Sequence, residues 1–204
     1  MLTLPRLYVI LDAGMFPDDA ALLAAAQEIA AGGATLIQYR DKSGNARQIL
    51  AKAHELQRLL GSTVRLIMND RADLCLAAAF NGLHLGQDDL SPESARKIIG
   101  PELILGVSTH NPEQLRVAAQ TSADYLAIGP VFATASKANP DPVIGLEGVR
   151  QARLLTRKPL VAIGGITRAN CRAVIEAGAD AVAVISDLLP SPRKSVEEFL
   201  RILR

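Results

Sequence analysis

Two aspartates each close a short apolar run: Asp70 follows Arg65–Met68 and Asp89 follows Gly82–Leu85. Two carboxylates at neighbouring strand ends offer hard oxygen ligands. With phosphate oxygens and water they suit Mg²⁺. Each is equally placed to cap the helix after it, Asp70 before Arg71 and Asp89 near Ser91-Pro92. Residue type alone leaves both readings open, and shared location favours the metal. Cations gather nearby. Arg40 and Lys42 alternate along an extended segment and so face one side, and Lys137 lies in a Gly- and Pro-flanked loop of small residues. Cations and a divalent ion together suit a diphosphate. A second anion site is suggested by Gly164-Gly165 and by Ser186, each just after an apolar run. Glycines let backbone N–H groups approach an oxyanion closely, although a Gly pair also serves as a plain tight turn.

The elements that must position these groups are short and repetitive. Strand-like runs cover Leu7–Leu11, Leu36–Tyr39, Arg65–Met68, Gly82–Leu85, Leu103–Val107, Tyr125–Ile128, Leu160–Ile163 and Ala181–Val184. They are mostly apolar, as strands buried on both faces are. Helix-patterned stretches separate them: Ala20–Ala31, Asn45–Leu60, Arg71–Ala79, then helices opened by Ser91-Pro92 and Asn111-Pro112, and Glu147–Leu155, Ala169–Ala177 and Ser195–Leu203. Ser or Asn before Pro marks a helix start. Alternation predicts a parallel sheet, and eight units in 204 residues predict closure as a single-domain (β/α)8 barrel over residues 1–204. An open doubly wound sheet would favour a GxGxxG after the first strand, and Leu11-Asp12-Ala13-Gly14 offers none. In such a barrel chemistry lies at the C-terminal strand ends. Polar or small residues follow seven of the eight strands, including Gln38-Tyr39-Arg40-Asp41-Lys42, Asn69-Asp70, Gln87-Asp88-Asp89 and Ser108-Thr109-His110.

Composition narrows the partners. The 22 Lys and Arg nearly balance the 21 Asp and Glu. A general nucleic-acid footprint is therefore not expected. Hydrophobic residues make up 49%, enough for a large core, and with only four Phe and three Tyr that core is aliphatic. Cys75 and Cys171 stand far apart without a CxxC, which suits two buried thiols in a reducing compartment. Met1–Arg6 shows no signal-peptide pattern and no apolar run reaches a membrane span, so the expectation is a soluble cytoplasmic protein without a membrane partner. His54 and His84 read as packing or surface residues, while His110 lies on the rim. No position suggests a Ser-His-Asp or Cys-His pairing, so nucleophilic catalysis is not favoured.

The rim residues together resemble the thiamine-phosphate synthase family. The resemblance is carried by Gln38-Tyr39-Arg40-Asp41-Lys42, Asn69-Asp70-Arg71, His84-Leu85-Gly86-Gln87-Asp88-Asp89, Gly106-Val107-Ser108, Gly129-Pro130-Val131-Phe132, Thr134 to Lys137, Gly145-Leu146-Glu147-Gly148, Ile163-Gly164-Gly165-Ile166 and Val184-Ile185-Ser186. Each motif is weak alone; their order and spacing are specific. The family joins a pyrimidinylmethyl diphosphate to a thiazole phosphate and releases diphosphate. The resemblance implies that Gln38, Tyr39, Arg40, Asp41, Lys42, Asn69, Ser108 and Lys137 hold the pyrimidine diphosphate. Arg40, Lys42, Lys137 and Ser108 are its catalytic set. Asp70 and Asp89 would hold one Mg²⁺. Thr134, Ala135, Ser136, Gly165, Ile185 and Ser186 would hold the thiazole phosphate. Two departures stand out. Thr134-Ala135-Ser136-Lys137 replaces the family's Thr-x-Thr-Lys, which keeps the hydroxyl, and Asp41 stands where Glu is common, which keeps the charge.

Other readings compete, among them a phosphosugar epimerase or isomerase barrel, which would not explain the paired aspartates with the Lys/Arg set. A thiazole tautomerase-like barrel would need only the thiazole phosphate site and a proton-transfer residue such as His110. The paired aspartates with Arg40, Lys42 and Lys137 argue against it. A non-catalytic phosphate-ligand-binding barrel is another. The partners expected are phosphorylated small molecules, and the sequence leaves the oligomeric state open.

Overall fold

The computed structural model describes residues 2–134 and 141–204. Among them eight parallel strands close into a barrel: β1 (Leu7–Asp12), β2 (Leu36–Arg40), β3 (Arg65–Asn69), β4 (Gly82–Leu85), β5 (Ile104–Thr109), β6 (Tyr125–Ile128), β7 (Leu160–Ile163) and β8 (Ala181–Val184). Each pairs with the next in sequence. Closure comes from β1 against β8, with Leu7 opposite Val182 and Val9 opposite Val184. The surrounding helices are α1 (Asp19–Ala31), α2 (Ala46–Leu60), α3 (Ala72–Ala77), α4 (Pro92–Ile99), α5 (Pro112–Ala119), α6 (Gly145–Leu155), α7 (Cys171–Glu176) and α8 (Pro192–Ile202). The (β/α)8 expectation is met.

Side chains alternate along each strand, so every strand feeds two cores. Tyr8, Ile10, Leu36, Ile67, Tyr125, Ala127, Val161 and Ala181 fill the barrel interior. Val9, Leu11, Ile37, Tyr39, Leu66 and Leu83 face outward and meet Leu22, Ile29, Leu56 and Phe199 of the helix layer. Burying each such aliphatic side chain contributes roughly 1.5–3 kcal/mol. Helix starts follow the expected chemistry. The Ser91 and Asn111 side chains accept from the N–H groups of Ser94 and Gln114, with Pro92 and Pro112 in the first turns.

Several boundaries move. β1, β2 and β3 each continue one residue further, to Asp12, Arg40 and Asn69, and β5 runs to Thr109. The ladder continues through polar residues, whereas hydrophobicity marks burial only. Helix α3 is shorter than the expected Arg71–Ala79, because Ala79 turns into the left-handed region at φ 53°. α8 starts at Pro192 rather than Ser195, and α7 at Cys171 rather than Ala169. Short 3-10 turns at Ala13–Met15 and Ser186–Leu188 were not expected.

Candidate active site

A cavity of about 530 Å³ opens at the C-terminal ends of the strands. It is lined by Gln38, Arg40, Lys42, Asn69, Asp70, Asp89 and Ser108 on one side, and by Thr134, Gly164, Gly165, Ile185 and Ser186 on the other. Eleven of the residues expected at the site therefore do border one space. Ala135, Ser136 and Lys137 lie outside the described residues.

Tyr39 and Asp41, which the resemblance places at the pyrimidine diphosphate, are not among the residues lining the cavity, and their side chains point away from it. Strand periodicity is the reason: Gln38 and Arg40 face in, so Tyr39 and Asp41 face the helices. The Tyr39 hydroxyl donates to Asp41 Oδ2 at 3.0 Å, and Lys52 Nζ of α2 lies 2.8 Å from the same carboxylate. Burial favours the neutral acid at Asp41. The Lys52 contact, the Ser43 N–H and the Tyr39 hydroxyl outweigh it and bring the pKa to about 2.

Neither aspartate of the candidate metal pair caps a helix. The residue preceding α3 is Arg71, with no side-chain cap bond, and α4 is capped by Ser91. Asp70 itself has φ 63°, a conformation costing a non-glycine residue on the order of 1 kcal/mol. Its N–H donates to the His84 carbonyl at 2.8 Å, and its carboxylate accepts from Lys42 Nζ at 2.5 Å. Asp89 accepts from the Gly86 N–H at 2.7 Å. Burial first, and then the adjacent Asp70 carboxylate, push Asp89 above the ordinary carboxylate value. Two converging carboxylates whose mutual repulsion Lys42 offsets only in part fit a divalent cation. Among the described residues no cluster of three or more His, Cys, Asp and Glu forms. An ion here would take two protein carboxylates and fill its shell from substrate oxygens and water, as Mg²⁺ prefers.

Arg40 is anchored rather than loose. Its guanidinium pairs with Asp12, its cross-strand neighbour on β1, which also accepts from the Gly14 N–H at 3.0 Å. Asp12 was not foreseen. The available signal was a carboxylate ending an otherwise apolar first strand. His84, which the flanking leucines mark as packing, lies at the site instead. It is buried and borders the cavity, with Nδ1 2.8 Å from the Tyr125 hydroxyl and Nε2 2.8 Å from Ser108 Oγ. Burial brings its pKa down to about 4, so it is neutral near pH 7. His110 lines the cavity as expected, with Nδ1 2.8 Å from the Gly129 carbonyl and 3.4 Å from Asp141 Oδ2.

The opposite half is built from backbone. Gly164 and Gly165 follow β7 at φ 102° and 61°. A Cβ on Gly165 would lie 2.4 Å from the Ala133 carbonyl oxygen, and one on Gly164 would lie 2.5 Å from Pro130 Cα. No other residue fits this turn, which brings main chain to the cavity wall. Ser186 opens the 3-10 turn after β8. The loops after strands seven and eight are where barrels of this kind bind phosphate.

Residues 7–188 match the family model described as thiamine monophosphate synthase. The chain belongs to that family. It is 62% identical to the thiamine-phosphate synthase of Koribacter versatilis over 205 residues, spanning 99% of this chain and 97% of that protein. It is 45% identical to the thiamine-phosphate synthase of Chloroflexus aurantiacus, over 89% and 83% of the two chains. The solved thiamine phosphate pyrophosphorylase of Pyrococcus furiosus superposes with a TM-score of 0.86 at 35% identity, covering 97% of this chain and 95% of that one. Family membership makes the chain a transferase of thiamine biosynthesis. No described helix is long and apolar enough to cross a membrane.

Proposed function

We propose that this cavity is the active site of a cytoplasmic, Mg²⁺-dependent thiamine-phosphate synthase that joins a pyrimidinylmethyl diphosphate to a thiazole phosphate by a dissociative substitution. The carrying observation is that one cavity is lined on one side by charged side chains and on the other by glycine-rich backbone, two surfaces that each suit an anion. Asp70 and Asp89 would hold the metal, which neutralises diphosphate oxygens when bound. Arg40, Lys42, Asn69, Ser108 and Gln38 border the space assigned to the diphosphate and its pyrimidine. The resemblance adds Lys137. Thr134, Gly165, Ile185 and Ser186, with Ala135 and Ser136, take the thiazole phosphate.

The chemistry follows from the leaving group. The exocyclic C–O bond breaks and diphosphate departs with the electron pair. The amino group of the pyrimidine spreads the resulting positive charge through the ring. The lone pair of the thiazole nitrogen then forms the new C–N bond. That nitrogen carries no proton, so no general base is needed, in line with a sequence whose positions suggest no Ser-His-Asp or Cys-His pairing. Arg40, Lys42 and Lys137 stabilise charge growing on the leaving diphosphate. The backbone site holds the nucleophile in line, which lowers the entropic part of the barrel's task. An assay with both substrates decides the reading. Thiamine phosphate and diphosphate should form with Mg²⁺ and stop on chelation. Chelator-insensitive product, or thiazole isomerisation alone, would overturn it.

A further inference from the structure

A continuous line of polar groups runs under the cavity floor through an otherwise aliphatic barrel. Gln38 Nε2 donates to the Tyr8 hydroxyl at 2.9 Å. The Tyr8 and Tyr125 hydroxyls are 2.9 Å apart. Tyr125 reaches His84 Nδ1 at 2.8 Å, and His84 Nε2 reaches Ser108 Oγ at 2.8 Å. Tyr8 and Tyr125 are almost wholly buried. The rings are also packed together, Tyr8 edge-on to Tyr125 at 5.9 Å and His84 stacked on Tyr125 at 5.5 Å. Gly106 of β5 makes the space, because a Cβ there would lie 2.0 Å from Tyr125 Cζ.

Proton accounting gives this line a direction. An amide nitrogen only donates, so Tyr8 accepts from Gln38. The Tyr8 proton then has the Tyr125 oxygen as its acceptor. Tyr125 in turn has His84 Nδ1 for its own proton. His84 Nδ1 is thereby an acceptor, and the ring proton lies on Nε2, aimed at Ser108 Oγ. Running the line backwards leaves the buried Tyr8 proton with no acceptor, which folded proteins avoid. With one lone pair taken by His84, the Ser108 hydroxyl has its own proton left to donate into the cavity it lines.

We propose that Gln38, Tyr8, Tyr125 and His84 form a directional positioning relay that holds His84 as its Nε2-protonated tautomer and commits Ser108 to donate to the substrate diphosphate. Tyr8, Tyr125 and His84 are positioning residues; Ser108 makes the contact. The link to diphosphate rests on the function proposed above, whereas the tautomer does not. Gln38 is anchored by the same line, so its remaining amide groups are oriented toward the pyrimidine.

¹⁵N NMR of histidine-labelled, substrate-free protein reads the tautomer directly, with the His84 signals identified by their loss in His84→Gln. A protonated Nε2 with a bare Nδ1 is expected, and a proton on Nδ1 overturns the relay. Tyr125→Phe removes the partner of Nδ1. It should mix the tautomers and lower kcat about tenfold, with the pyrimidine KM changed less. Tyr8→Phe removes the link that gives the line its direction. It should raise the pyrimidine KM and shift His84 partway toward a tautomer mixture, with a smaller loss of kcat than Tyr125→Phe; an unchanged tautomer overturns the direction assigned from Gln38. Glutamine at position 84 keeps a donor near the former Nε2, so His84→Gln should retain several-fold more kcat than His84→Ala. In a double-mutant cycle, Ser108→Ala with Tyr125→Phe should cost little more than Ser108→Ala alone. Fully additive losses overturn the relay. If Ser108→Ala leaves kcat unchanged while the tautomer is as expected, the diphosphate assignment of Ser108 has failed and the tautomer assignment stands.

Discussion

The two halves of the cavity rim are built from different materials. From β2 to β5 the rim is made of side chains that carry charge: Arg40, Lys42, Asp70 and Asp89. From β7 to β8 it is main chain and small residues: Gly164, Gly165 and Ser186. The difference matches what happens to each anion in the proposed reaction. The diphosphate changes charge as it leaves, so contacts that strengthen on the way lower the barrier. The thiazole phosphate keeps its charge throughout and needs only to be held. In the proposed reaction, rigid backbone groups would hold it without adding a charge that competes for the leaving group's cations.

The charged half is tested hardest by Asp70→Asn. The expected loss in kcat/KM at limiting Mg²⁺ is on the order of 10²–10³-fold, with the fold intact. Asparagine tolerates the φ of 63° found at this position, and the Lys42 partner is more than half exposed, so the pair adds little stability. Undiminished activity across a Mg²⁺ titration would break the assignment of this half.

Ser186→Asp probes the neutral half. A carboxylate there repels the phosphate and occupies its donors, a penalty of roughly 2–3 kcal/mol in a partly desolvated site. The KM for thiazole phosphate should rise about 10²-fold, while calorimetric titration of the pyrimidine diphosphate stays near wild type. Equal weakening of both ligands would mean that the halves are not separate.

Lys137→Ala sharpens the contrast from a residue assigned to the charged half by resemblance. It should lower kcat by roughly 10-fold or more and leave the thiazole KM little changed, because its contact grows as the C–O bond breaks. A variant with normal kcat and weakened thiazole binding would move Lys137 to the other half.

Much of this architecture is legible in the residues. Strands buried on both faces are short, mostly apolar runs, so β4, β6, β7 and β8 are recovered residue for residue. Ser-Pro and Asn-Pro mark α4 and α5 because a capping side chain and a fixed φ act locally. What escapes is non-local or obscured by motif. Gln38 to Lys42 taken as one block hides the two-residue period that turns Tyr39 and Asp41 outward. His84 between two leucines looks like packing, and only the fold brings Tyr125 and Ser108 to its two nitrogens. Asp12 and Arg40 become partners through strand register.

Asp41 supplies the smallest effect on activity and the most direct check of that period. Its carboxylate meets Lys52, Tyr39 and Ser43 behind the barrel wall. Asp41→Asn should therefore leave kcat and both KM values within about twofold while lowering stability near pH 7 by about 1–2 kcal/mol, a figure discounted for solvent screening. The sign is set by the folded-state pKa of about 2, which lies below the ordinary 3.8. A depressed carboxyl pKa adds stability that is complete above about pH 5 and fades as pH falls through the range between those values. The gap between wild type and variant in urea unfolding should be widest near neutral pH and narrow toward pH 2–3. If Asp41→Asn instead cuts kcat tenfold with an unchanged unfolding midpoint, Asp41 acts on substrate, and the division between inward and outward residues on this strand is wrong.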